Sequence, residues 1–303
     1  MLRRTGLLHG PPPSSRRRAR QLLLAGPLAG IIMMSAACHT VQDELPEKAP
    51  RHVLVATWNM CGVQQWNCQG TGSGSQKAEA LKRLATDGGA QVIMLQEACA
   101  GDLAVARKKL GENWQSAFKA YRYFGERGSG ASVRCADDGQ GAAGIAILAS
   151  SPLSAVSEPL VRQPSVGLHR GILCVTVAAK HLRACNAHLS LPGGTPSRPG
   201  PEFRDDQLKS LVGAADAQTV FGGDLNSAPP SARDSSSWIW PYELYRRYRE
   251  CDQPSPSSRG GRATHVTGHK VDYLFTALRR AGCSVRDTGA SDHWALVMRV
   301  RAG

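Results

Sequence analysis

Thr219-Val220-Phe221-Gly222-Gly223-Asp224-Leu225-Asn226 is an apolar run that rises into two glycines and then delivers an acid and an amide two residues apart. Read as a buried strand, it ends at the rim of a sheet, and alternation places Asp224 and Asn226 on one face. Gly222 and Gly223 carry no side chains, so a ligand or another backbone can approach closely there. A carboxylate and a carboxamide side by side at a strand end can hold a polarised water and a phosphate oxygen together. The same residues also spell a strand followed by an Asx turn into Ser227-Ala228-Pro229-Pro230. Taken alone, the stretch does not choose between the two readings.

Working outward, the pattern recurs. Val53 to Asn59 is β-branched and aromatic and ends in Asn59; Val92 to Glu97 is a second buried strand with a polar end. Arg170 to Val177 and His181 to His188 read as a hairpin whose second strand terminates at His188. Val271 to Phe275 carries Asp272, and Ala295 to Val300 is entered through Ser291-Asp292-His293. Further strands are expected at 121–124 and 145–148, and helices at about 76–85, 102–110 and 202–214. Residues 125–144 and 191–201 read as glycine- and proline-rich irregular segments, and 227–262 as a short helix and a loop. Polar residues thus stand at the margins of six separated apolar strands. Carboxylates in such places are costly unless paired or metal-bound. The set holds hard oxygen ligands and two histidines with no thiolate cluster, which suits magnesium, manganese or calcium better than structural zinc. It fits metal-assisted hydrolysis at phosphorus.

The chain has 303 residues, of which 42% are hydrophobic and 20% charged, a composition that excludes a disordered chain or one spanning a membrane throughout. Arg3, Arg4, Arg16, Arg17, Arg18 and Arg20 precede an apolar run from Leu22 to Ala37, and no acid accompanies them. Residues 1–38 read as an export signal, and Ser35-Ala36-Ala37-Cys38 resembles a bacterial lipobox, so membrane attachment through Cys38 is an expectation. Setting those arginines aside lowers the formal net charge from +13 to +7, which still favours nucleic acid or acidic lipid head groups. Residues 39–51 are expected to be a tether, and 52–303 one catalytic domain, a monomer. Besides Cys38 there are eight cysteines, an even number that suggests disulfides in an exported chain. Cys61 with Cys68 and Cys174 with Cys185 are the two pairings with a local reason.

The ordered motifs Thr57-Trp58-Asn59, Leu95-Gln96-Glu97, Ala187-His188-Leu189, Gly223-Asp224-Leu225-Asn226, Val271-Asp272-Tyr273 and Ser291-Asp292-His293-Trp294 resemble those of the endonuclease/exonuclease/phosphatase superfamily, the deoxyribonuclease-I-like fold. The resemblance implies an α/β four-layer sandwich of two packed mixed β-sheets flanked by helices. It implies that Glu97 holds Mg2+ (or Mn2+ or Ca2+) with help from Asn59 and Asp292. Asp224 and Asn226 would orient or activate water and the scissile phosphate, and His188 and His293 would contact phosphate oxygens. Asp272 would orient one of the histidines, and Arg170 would bind phosphate.

Within the superfamily, abasic-site nucleases commonly place an acid where Cys61 stands, and deoxyribonuclease I an arginine where Cys99 stands. Inositol polyphosphate phosphatases carry a Trp-Cys-Asp-Arg-like signature where this chain has Lys270-Val271-Asp272-Tyr273. What remains resembles exported bacterial nucleases, the B subunit of cytolethal distending toxins and bacterial sphingomyelinases; Thr264-His265 is similar to the toxin arrangement. Basic charge favours a DNA endonuclease. The alternatives are a phospholipase C or phosphoinositide phosphatase acting on a phospholipid head group, and a lipoprotein that binds without turnover.

Overall fold

Strands that alternate two kinds of apolar burial cannot lie at a wetted surface on either face, and this chain has many of them. In the computed structural model, residues 51–66, 68, 71–135, 139–195, 198–230 and 237–303 are described, all within one compact unit, Lys48–Gly303. The expected export signal, Cys38 and the tether up to residue 50 lie outside the described residues; Arg51, the last residue of the expected tether, already opens a strand.

In chain order the principal elements are β1 (Arg51–Asn59), α1 (Gly74–Thr86), β2 (Val92–Cys99), α2 (Ala100–Leu110), β3 (Gln115–Ala120), β4 (Ala143–Ala149) and β5 (Ser154–Ser157). They continue with β6 (Gly171–Val177), β7 (Leu182–His188), α3 (Arg204–Gly213), β8 (Thr219–Asp224), α4 (Leu244–Arg247), β9 (Arg249–Glu250), β10 (Asp272–Thr276), β11 (Arg279–Arg286) and β12 (Ala295–Ala302). One six-stranded sheet runs β11-β12-β1-β2-β4-β3 and the other β9-β10-β8-β7-β6-β5. Both are mixed, with one parallel pair each (β1 with β2, β7 with β8) among antiparallel ones. Among the described residues no helix is long and apolar enough to cross a membrane.

The layers follow from strand parity. On β1, Val53 and Val55 face the second sheet, whereas Ala56 and Trp58 face α1 and α2. On β8, Val220 lies between the sheets and Phe221 packs under α3 and α4. Helices, sheet, sheet and helices therefore stack in four layers around three apolar clusters, each fully buried Val, Leu or Phe contributing about 2 kcal/mol. The middle cluster contains a polar clamp. Asn186 Nδ2 donates to the carbonyls of Leu95 (2.8 Å) and Ala146 (2.9 Å), and Gln96 Nε2 donates to Asn186 Oδ1 (2.6 Å) and Thr57 Oγ1 (3.0 Å), tying β7 to the other sheet.

The glycines of the opening stretch serve backbone approach: a Cβ on Gly222 or Gly223 would collide with the carbonyl of Tyr273 or Ala187 on the neighbouring strands. The eight cysteines after Cys38 form four disulfides: Cys61–Cys68 and Cys174–Cys185 as expected, with Cys99–Cys135 and Cys251–Cys283 added. Irregularity is expected at 125–144, yet the short strand Gly130–Ser132 stands there; it forms a small sheet with Arg122–Phe124, at the strand expected over 121–124, and with Gly167–His169.

Candidate active site

The parity that sends Val55, Ala184, Val220 and Leu274 into the inter-sheet core sends Asn59, His188, Asp224 and Asp272 to its open end. The candidate site is where the apolar packing between the sheets stops and polar side chains of the same faces continue.

Asn59 stands at the centre. Its Nδ2 donates to Glu97 Oε1 (3.2 Å) and to Asp224 Oδ2 (3.0 Å), so one amide joins the acids of both sheets. Its Oδ1 accepts from the Cys61 amide (2.9 Å) and so faces away from those carboxylates. Asp224 Oδ2 lies 3.4 Å from His188 Nε2 and 3.9 Å from His293 Nε2. Asp272 orients His293, through a 2.8 Å contact between Oδ2 and Nδ1. Thr264 Oγ1 in turn accepts from the Asp272 amide (3.0 Å), and the Trp58 indole donates to the His293 carbonyl (3.2 Å).

Glu97 occupies a bulge where the register of β2 with β4 breaks between Leu95 and Ala98, and its φ is 50°. A non-glycine residue held there stores about 1–3 kcal/mol and needs support. The Glu97 amide donates to Tyr121 Oη (3.1 Å), and its carbonyl accepts from the Gly62 amide (3.0 Å). Gly62 has to be glycine, since a Cβ would press on the Glu97 carbonyl and lie 2.8 Å from Cys99 Sγ.

Asn226 reaches the site by a turn and not by the alternation expected for it. It lies beyond β8 with φ 48°; its amide donates to Asp224 Oδ1 (2.9 Å) and its Nδ2 to the Leu189 carbonyl (3.0 Å). Arg170 is 8% exposed, and its Nη1 donates to the same Leu189 carbonyl (3.0 Å) while Nε has no partner among the described residues. Asp292 is half-buried at the adjoining rim. Ser291 Oγ donates to the Asn59 carbonyl (2.7 Å) and lies 3.3 Å from Asp292 Oδ1, and His265 Nε2 lies 3.4 Å from Asp292 Oδ2.

Three supporting residues were not singled out in the sequence. Tyr121 Oη lies 2.7 Å from His188 Nδ1. Trp66 packs against Tyr121 (5.7 Å between centroids) and lies 5.6 Å under the Arg170 guanidinium. Lys77 is buried and its Nζ donates to the carbonyls of Met60 (2.7 Å) and Ala290 (2.8 Å), tying the loops that follow Asn59 and precede Asp292. Burial lowers its pKa to about 8 against the pull of Asp292, Asp102 and Glu97.

Electrostatics divide the two histidines. Burial holds His188 well below its ordinary value, and the Arg170 charge adds to this. Since a carboxylate can only accept, the Nε2 that faces Asp224 carries the proton, and Tyr121 donates to Nδ1. Burial also opposes charge on His293, but Asp272, Asp224 and Asp292 outweigh it and lift its pKa to about 10. Burial works against ionising Asp224 as well. His188 and His293, with the N–H groups of Asn226 and Asn59, nevertheless hold Asp224 below the ordinary carboxylate range. Burial raises Glu97 to about 7, only partly relieved by Arg170 and Asn59.

Glu97 and Asp292 are hard oxygen donors, and the cysteines next to Glu97 are locked as the Cys61–Cys68 disulfide. A buried carboxylate pushed up in pKa for want of a counter-charge fits a divalent cation.

A family profile described as endonuclease/exonuclease/phosphatase matches residues 56–293. This chain belongs to that family. It is a phosphoric ester hydrolase with the family's two-sheet fold, and enzymes of the family are generally dependent on divalent metals. A comparison with curated protein sequences found no match. Among solved structures, the endonuclease/exonuclease/phosphatase protein of Beutenbergia cavernae is similar at TM-score 0.58 and 20% identity, over 84% of this chain and 72% of that one. A humanised D. rerio TDP2 is similar at TM-score 0.55 and 16% identity, over 82% and 98% of the chains. The human nocturnin catalytic domain, solved with a bound sulfate anion, is similar at TM-score 0.55 and 14% identity, over 82% and 93%. Likeness at these identities carries the fold alone.

Proposed function

We propose that this hydrolase is an exported, divalent-metal-dependent phosphodiesterase that acts on nucleic acid, as a DNA endonuclease. The observation that carries the reading is the pair of unlike histidines facing one buried carboxylate, Asp224: His293 backed by Asp272 and His188 backed by Tyr121. A phosphodiester needs a proton removed from the attacking water and another delivered to the leaving oxygen. Asp224 is placed to orient the water and take its proton as the new O–P bond forms. His293, charged and backed by Asp272, gives its Nε2 proton to the leaving oxygen as the old P–O bond breaks. His188 offers a neutral N–H to a non-bridging oxygen, and Arg170 a full charge. Asn226 fixes the Asp224 carboxylate through its own amide. Glu97, with Asp292 on the adjoining rim and Asn59 orienting Glu97, would hold the cation. A magnesium ion bound there supplies neutralising charge at the phosphate oxygens.

Export is supported by the basic and apolar start of the sequence and by the complete pairing of the eight cysteines after Cys38. Nucleic acid is supported by the basic charge of the chain. Plasmid nicking in magnesium, repeated with chelator and with Asp224→Ala, tests the reading: both changes are expected to abolish nicking. Sphingomyelin turnover by a preparation that never nicks DNA would replace it with the lipid alternative.

A further inference from the structure

The small three-stranded sheet stands beside the site as an outrigger. Its strand Arg122–Phe124 begins one residue after Tyr121, and Gly167–His169 ends one residue before Arg170. Arg122 and His169 are cross-strand partners, so the two links into the site lie at the same end. Arg122 and His169 each stand one residue step, about 3.8 Å, from the site residues Tyr121 and Arg170, and Phe124 stands three steps from Tyr121.

Between the outrigger and the segment at 158–163 lies a cavity of about 220 Å³, whose walls include Arg122, Phe124, His169, Gln163 and Arg170. Phe124 stacks on His169 (4.1 Å, 28°), with the Arg122 guanidinium 5.3 Å from the Phe124 centroid. His169 Nε2 donates to the Pro164 carbonyl (2.7 Å), which fixes the ring plane. Glu158 neutralises Lys119 on the same wall, which leaves Arg122 as the exposed cation. Gln163 Nε2 donates to the Arg170 carbonyl (2.8 Å), which ties this wall to the site. An aromatic stack beside an exposed guanidinium suits an unpaired base with an attached phosphate.

We propose that this cavity is a subsite for the nucleotide next to the scissile phosphate, and that the preferred substrate is single-stranded polynucleotide. The unpaired base lies against the Phe124–His169 stack, and the flanking phosphate lies on Arg122. A paired base cannot enter, because both its faces and its hydrogen-bonding edge are occupied within the duplex. The subsite rests on the nuclease reading of the site.

The test uses the full chain with magnesium and three substrates: bis(p-nitrophenyl) phosphate, a single-stranded deoxyoligonucleotide and its duplex. Phe124→Ala is expected to raise KM for the single strand about tenfold, and Arg122→Gln about threefold with a shallower salt dependence. Neither should change kcat/KM for the minimal diester by more than about twofold, which also certifies that the variants are folded. Equal loss on the minimal diester and the single strand, no loss on either, or a wild-type preference for duplex overturns the subsite while leaving the nuclease standing. A wild type that hydrolyses the minimal diester but no polynucleotide overturns the nuclease reading, and the subsite with it.

Discussion

The two histidine arms of the site are near mirror images in geometry and opposites in charge. In one, His293 leans on the carboxylate of Asp272 at 2.8 Å; in the other, His188 leans on the phenol of Tyr121 at 2.7 Å. Both present Nε2 to Asp224. A buried acid behind an imidazole stabilises the imidazolium, whereas a phenol that already accepts the Glu97 amide stabilises the neutral ring. Backing residues thus set which histidine delivers a proton and which only donates a hydrogen bond. The arms also act oppositely on stability. His293, lifted to about 10, contributes stability that is fully present below its unfolded value of 6.5 and is lost as pH rises through 10. His188, depressed, must gain a proton on unfolding below 6.5, so it costs stability as pH falls.

Removing the charged arm gives the largest expected effect. His293→Ala should lower kcat about 10³-fold with little change in KM, read from initial rates on a deoxyoligonucleotide, whose leaving alkoxide needs the proton. A KM effect of the same size would mean that His293 binds ground-state phosphate and does not deliver the proton. Asp272→Asn follows, at about 10²-fold in kcat near pH 8. The wild-type rate should hold until pH approaches 10 and fall above it, because the acid form of His293 is the active one. In Asp272→Asn burial is left with weaker opposition, so the alkaline limb should move towards neutrality and the loss should shrink at pH 6. A rate–pH profile that keeps its alkaline limb would show that Asp272 is not what charges His293.

The unequal arms were unequally legible. His293 and Asp272 could be read because each stands at the margin of an apolar run. Parity with Val220 and Leu274 then put Asp224 and Asp272 on the inter-sheet side. Tyr121 could not be read this way. It follows Gln115–Ala120, a strand whose polar Gln, Ser and Lys conceal the alternation, and its partner His188 is 67 residues away. Arg279–Arg286 escaped for a related reason: an edge strand rich in arginine, with a register shift between Arg280 and Gly282, lacks the buried face that alternation reports. Asn226 was expected by alternation and arrives by an Asx turn, because a short polar side chain competes with the strand at its end.

The neutral arm is tested by Tyr121→Phe, which removes the hydroxyl but keeps the ring against Trp66. The Glu97 amide and His188 Nδ1 both lose their partner, so stability should fall by about 1–3 kcal/mol in denaturant titration. The rate should fall about tenfold, with the alkaline limb unmoved, since His293 is untouched. A shift of that limb would show that the arms titrate as one unit and would remove the distinction drawn between them.

The smallest effect belongs to Trp66, which touches neither histidine and links the neutral arm to Arg170. The loop that carries it is closed by the Cys61–Cys68 disulfide, and its indole lies between the Tyr121 ring and the Arg170 guanidinium. Arg170 keeps one backbone bond and, among the described residues, an unpaired Nε–H, so the indole face is what limits its swing. Trp66→Ala should raise KM about threefold and leave kcat within about twofold, the size expected of one partly exposed cation–π contact. Trp66→Phe keeps an aromatic face and should restore most of the loss, which a merely space-filling indole would not require. A matching fall in kcat for both variants would place Trp66 with Tyr121 as a support of His188, and the boundary between the two arms would move accordingly.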